Sequence, residues 1–135
     1  MANVNAPFGL KPLRERGGQP YSGAANTYFV PDTDNVALFI GDPVILAGSS
    51  GNAQAGPESY PTVTRATAGA TNRISGVVVG FQPSPAFTPY GYRPASTAMN
   101  VLIADDPTLE YVIQADATGV AATQVGENAN LTAGS

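Results

Sequence analysis

Glycine and proline make up 27 of the 135 residues (15 Gly, 12 Pro), and their placement constrains this chain more than any other feature. They fall between short runs of β-branched and aromatic residues, where they act as turn punctuation. Between residues 26 and 114 no apolar set recurs at i, i+3, i+4, i+7 with helix caps, so a helical body is excluded. A chain cut into pieces this short folds as β-structure.

The strands read off in order. Thr27-Tyr28-Phe29-Val30 is stopped by Pro31-Asp32-Thr33-Asp34-Asn35, and Val36-Ala37-Leu38-Phe39-Ile40 by Gly41-Asp42-Pro43. Val44-Ile45-Leu46-Ala47 precedes a long loop of small residues from Gly48 to Pro61. Thr62-Val63-Thr64-Arg65-Ala66 alternates polar and apolar, as a half-buried strand does. Ile74-Ser75-Gly76-Val77-Val78-Val79-Gly80-Phe81 is the strongest strand, rich in β-branched residues and bounded by Asn72 and Pro83. Asn100-Val101-Leu102-Ile103-Ala104 and Leu109-Glu110-Tyr111-Val112-Ile113-Gln114 flank an Asp105-Asp106-Pro107 turn. In the last strand Leu109, Tyr111 and Ile113 share one face and Glu110 and Gln114 the other. About seven short strands at this spacing predict an all-β sandwich or small barrel. Only Val120 to Gln124 has room for a turn or two of helix.

Residues 1–25 predict an extended arm, and residues 26–135 the β-domain. Pro7, Pro12 and Pro20 with Gly9, Gly17, Gly18 and Gly23 break any helical period in the arm. Phe8, Leu10, Leu13 and Tyr21 are out of place in a solvated tail, which gains nothing by exposing them. Two arrangements stay open: an arm that anchors on a partner, mobile until it meets one, and an arm folded back over its own domain.

Charged residues are only 12% of the chain, about half the usual share, which points to a surface that other proteins cover. Apolar residues are 43% and mean hydropathy is −0.02, the values of a globular protein. Residues 1–20 carry Lys11, Arg14 and Arg16 against Glu15, while the rest carries Arg65, Arg73 and Arg93 against nine acids. A basic arm on an acidic body does not track phosphates, so nucleic acid is not an expected partner. No apolar stretch approaches the ~20 residues of a membrane span, and Met1-Ala2-Asn3-Val4-Asn5-Ala6 does not read as a secretory signal. The expected site of synthesis is a cytoplasm.

Catalysis is tested by subtraction. His and Cys are absent, which removes the commonest general base and the thiol nucleophile. The one lysine, Lys11, lies in the arm, and no Gly-rich phosphate cradle is present. Asp105-Asp106 before Pro107 reads as a turn rather than a carboxylate pair. Asp32-Thr33-Asp34-Asn35 opens like a calcium loop but has Ala37 where that loop needs glycine and Pro43 where it needs a bidentate acid. An Asx-type turn explains it. The expectation is a protein that is not an enzyme and holds no cofactor and no metal.

The Pro- and aromatic-rich loop 82–98 is the other feature with binding chemistry. Phe81, Phe87, Tyr90 and Tyr92 with Arg93 are residue types that dominate protein interfaces, though local packing or stacking on a ligand stays open.

Several blocks together carry a resemblance. Asn5-Ala6-Pro7-Phe8-Gly9-Leu10-Lys11-Pro12, Tyr28-Phe29-Val30-Pro31, Gly41-Asp42-Pro43-Val44, Ile74 to Phe81, Tyr92-Arg93-Pro94-Ala95-Ser96-Thr97 and Ala104-Asp105-Asp106-Pro107 occur in order over nearly the whole chain. The ordered set resembles the head decoration (cement) proteins of tailed bacteriophages. Proteins of this type often continue into a further C-terminal strand, past where this sequence reads Leu131-Thr132-Ala133-Gly134-Ser135. The resemblance implies a small antiparallel β-barrel or jelly-roll-like sandwich on the outer capsid surface of the virion. It implies the major capsid protein as partner, and self-association as a dimer or trimer on the shell. The residues expected at those contacts are Phe8, Leu10, Lys11, Leu13, Arg14 and Arg16 in the arm, and Phe87, Tyr90, Tyr92 and Arg93 in the loop. A tail or baseplate component, a carbohydrate-binding module and an unusual glycosidase are the alternatives from other classes.

Overall fold

In the computed structural model, which describes residues 8–69, 72–83, 91–115 and 120–131, the fold is all-β. Among the described residues nine strands run in chain order: β1 (Lys11–Glu15), β2 (Asn26–Val30), β3 (Leu38–Phe39), β4 (Pro43–Gly51), β5 (Tyr60–Arg65), β6 (Gly76–Phe81), β7 (Tyr92–Arg93), β8 (Met99–Ala104) and β9 (Leu109–Val112). Ala122–Gln124 makes a single 3-10 turn, inside the stretch that had room for one. Among the described residues no helix is long and apolar enough to cross a membrane.

Five strands hydrogen-bond in a closed circuit, β2-β5-β4-β6-β8 and back to β2. Four of the contacts are antiparallel, but Phe29 of β2 meets Thr62 of β5 in parallel. The wholly antiparallel arrangement expected is corrected here for a geometric reason. Directions can alternate around a closed ring only if the strand number is even, and five forces one parallel contact.

Every strand of the circuit sends a β-branched residue inward. Val30, Val44, Val63, Val78, Val101 and Ile103 form the core with Leu38, and Tyr28 and Phe81 pack against it. The pairing shifts between Val78 and Gly80, so Val79 is a bulge opposite Ile103 and Leu102. Such an extra residue bends the strand, as a small closed circuit needs. Gly76 is required by closeness: a Cβ there would lie 2.5 Å from Ile103 Cγ2 and 2.7 Å from the Ala104 carbonyl oxygen.

Polar groups complete the packing. Buried Asn100 accepts the Ala53 N–H at 3.0 Å and donates to Asn52 Oδ1 at 2.8 Å, which ties the loop after β4 to β8. Asp105 receives Asn26 Nδ2 at 2.9 and 3.1 Å and Tyr28 Oη at 2.5 Å, tying the end of β8 to β2. Burial first, and then the Asp105 hydrogen bond and charge, push the Tyr28 hydroxyl up to about 12. Asp106 Oδ1 instead caps its own turn, accepting the Thr108 N–H at 2.9 Å and hydroxyl at 2.7 Å. The two neighbouring carboxylates thus serve separate structural bonds. Asp34 Oδ1 likewise accepts the Val36 N–H at 2.9 Å, the Asx-type turn expected.

Two small sheets lie outside the circuit, β1 with β9 and β3 with β7. They carry the candidate site.

Candidate partner-binding face

The arm reaches the body through two glycines. Gly9 and Gly41 have φ of +75° and +97° and touch backbone to backbone; a Cβ on Gly41 would lie 2.4 Å from the Phe8 carbonyl oxygen. That contact lets the Leu10 N–H donate to the Gly41 carbonyl at 2.9 Å, while the Gly41 N–H donates to Val78 at 2.9 Å. Leu10, 7% exposed, is sealed against the body. β1 then runs antiparallel to β9, with Lys11 opposite Val112 and Glu15 opposite Leu109. Within the expected arm, residues 11–15 are therefore extended but lie on their own chain, the second of the two arrangements left open.

Leu13 owes its position to a slip in this pairing. Pro12 faces Tyr111 and Arg14 faces Glu110, which leaves Leu13 as the extra residue. A bulge re-aims its side chain, and Leu13 turns to solvent, 52% exposed, beside Phe8 (46%), Val112 (39%) and Ile40 (57%). These four, with Leu10 and Tyr21, line an open groove of about 990 Å³. Lys11 is the only charged residue lining it among the described residues. Ile40 is held out by the β3–β4 corner, where Asp42 Oδ2 accepts the Phe39 N–H at 2.9 Å. Burial pushes the Asp42 carboxyl up, and that hydrogen bond and Arg65 partly offset it.

Next to Ile40, Phe39 stacks on Tyr92 with ring centroids 5.2 Å apart and 9° between planes. Phe39 is half exposed. Ile40 lines the groove, and Phe39, its neighbour in sequence, lies in the stacked pair outside it. The half-exposed large side chains of the groove make it the candidate interaction face.

The expected contact residues divide. Phe8, Leu13 and Lys11 line the groove, and Tyr92 stacks on Phe39 outside it. Arg14 lies at the exposed edge, its Nε 2.8 Å from Glu110 Oε2. Arg16 is exposed and donates its backbone N–H to the Thr108 carbonyl at 2.8 Å. Phe87 and Tyr90 fall outside the described residues. Two expectations are corrected. Leu10 is spent on its own body. Arg93 has no exposed surface; its guanidinium donates to the carbonyls of Thr97 (2.7 Å), Val36 (2.7 Å), Pro31 (2.7 Å) and Asp34 (2.9 Å). An arginine with that many internal bonds has no fork left for a partner.

Ile40, Phe39 and Val112 were missed from the sequence because each sits in an apolar run that reads as core strand. For Ile40 and Phe39 the signal is the turn: β3 pairs for only two residues before Gly41, too short to bury every side chain of Val36 to Ile40.

Asp105, Asp106, Ser75 and Tyr111 border a second hollow of about 320 Å³, but both carboxylates are engaged as above, and Tyr111 Oη donates to the Ala104 carbonyl at 3.0 Å. Among the described residues no group of His, Cys, Asp or Glu is arranged to hold a metal ion. Comparison with family models, with curated proteins and with solved structures found no match to this chain.

Proposed function

We propose that this chain is a virion structural protein: a capsid decoration (cement) protein of a tailed bacteriophage, without catalytic activity. It binds the outside of the major capsid shell, associates with itself there, and stabilises the shell. The five-strand circuit supports the small-barrel form of this reading over the jelly roll.

The observation that carries the reading is the open apolar groove of Phe8, Leu13, Ile40 and Val112 on a chain with so few charges. The ordered blocks of resemblance supply the class of partner. A cement protein needs modest contacts repeated over many copies, and a shallow apolar face with sparse charge suits that. Purified protein mixed with empty, expanded shells tests it: co-sedimentation to a saturating ratio supports the reading. Particles lacking the protein should also lose DNA at lower temperature or on osmotic shock. Shells that neither bind the protein nor gain stability from it would overturn the reading.

A carbohydrate-binding role is the second reading. The Phe39–Tyr92 stack favours it, since a half-exposed ring offers a flat platform to a sugar. A glycan array separates the two.

A further inference from the structure

We propose that residues 10–16 are exchanged between two copies of this chain, β1 of each pairing with β9 of the other. The proposal deepens the self-association in the reading above by naming the element that performs it.

The contacts that fix the arm are portable. β1 lies outside the closed circuit; among the described residues its strand partner is β9, and Arg14 also bridges Pro20 of the tether. It is held by the Leu10–Gly41 hydrogen bond, the Arg14–Glu110 ion pair and the Arg16–Thr108 hydrogen bond, each joining the arm to distant sequence. A second copy offers the same acceptors in the same order. The arm, with three cations against one acid, is attracted to the acidic body of either copy.

The tether permits the exchange. Residues 17–25 contain Gly17, Gly18, Pro20 and Gly23, and none of the nine is buried. Opening its turn gives up the Arg14–Pro20 bridge and the backbone hydrogen bonds from Gly18 to Glu15 at 2.9 Å and from Glu15 to Gln19 at 2.8 Å. Nine residues then reach up to ~30 Å, enough to cross to an adjacent body. Exchange of an identical element is a low-cost route to a dimer, since its own contacts are kept.

The absence of cysteine makes the test clean. Arg14 and Glu110 are cross-strand partners, and losing this exposed pair costs little stability. Arg14→Cys and Glu110→Cys are made in separate chains, unfolded and refolded together at high concentration, and oxidised. Exchange predicts a disulfide-linked heterodimer at about ten times the level of crosslinking in either variant alone, because only a β1–β9 contact between chains brings Cβ atoms within disulfide reach. The double variant Arg14→Cys/Glu110→Cys in one chain, oxidised at the same concentration, checks the geometry. Covalent dimers of it support exchange. A purely intramolecular disulfide there, with no heterodimer in the mixture, overturns it. No shells are used, so failure here leaves the shell-binding result to stand or fall separately.

Discussion

Arg93 grips Asp34 twice: its Nη2 donates to the Asp34 carbonyl at 2.9 Å, and its Nη1 lies 3.9 Å from the Asp34 carboxylate. The same guanidinium bonds the carbonyls of Pro31, Val36 and Thr97, so one buried cation organises the turn after β2 and the turn after β7. Desolvation lowers its pKa and Asp34 raises it in part. β3 and β7, and with them the Phe39–Tyr92 stack, rest on this side chain.

Arg93→Ala leaves buried carbonyls unpaired and should cost about 3–5 kcal/mol. Urea unfolding followed by circular dichroism checks it. Arg93→Lys keeps the charge but loses the planar fork, so it should recover less than half of that loss. A variant within about 1 kcal/mol of wild type would show that the four bonds do not hold the turns.

Tyr28 makes the fold sensitive to base. Its pKa rises from 10.0 to about 12 on folding, so between those values the folded chain binds more protons than the unfolded one. Stability is then full below about pH 10 and falls as pH rises toward 12. Tyr21 and Tyr111, also pushed up by burial, act in the same direction. Melting temperatures measured from pH 9 to 12 should therefore fall less steeply in Tyr28→Phe, without becoming flat.

Gly41 should be the lock on the arm. With φ at +97° and the Phe8 carbonyl 2.4 Å from its would-be Cβ, Gly41→Ala strains the corner and displaces residues 8–10. The expected cost is at least about 1 kcal/mol. Brief trypsin digestion reads the effect directly: cleavage after Arg14 and Arg16 should speed up while the body stays intact. Equal cleavage rates in both proteins would contradict the seat described.

Much of the fold was legible because glycine and proline mark its turns. The β2, β5, β6 and β8 strands fall within a residue or two of the expected runs, and the Asp34 and Asp106 turns are where their sequences put them. β1 was hidden by Pro12, which reads as a breaker yet sits where the pairing slips and its missing N–H is tolerated. β7 is two residues long and carries no periodicity. The face was legible only in its arm half. Phe8 and Leu13 stand out among polar neighbours, whereas Ile40 and Phe39 look like core until the shortness of β3 is known. Arg93 misled for the opposite reason, because residue type cannot tell a fork aimed at a partner from one spent on four carbonyls of its own chain.

Co-sedimentation of wild type, Leu13→Asp and Ile40→Asp with empty expanded shells tests the central claim most directly. Both positions are half exposed, so the variants should fold and melt close to wild type. The account predicts saturable binding by wild type and at least a ~10-fold loss of affinity in each variant, the effect of one lost interface anchor. Wild-type protein that leaves the shells bare, or variants that decorate them as tightly, would contradict it.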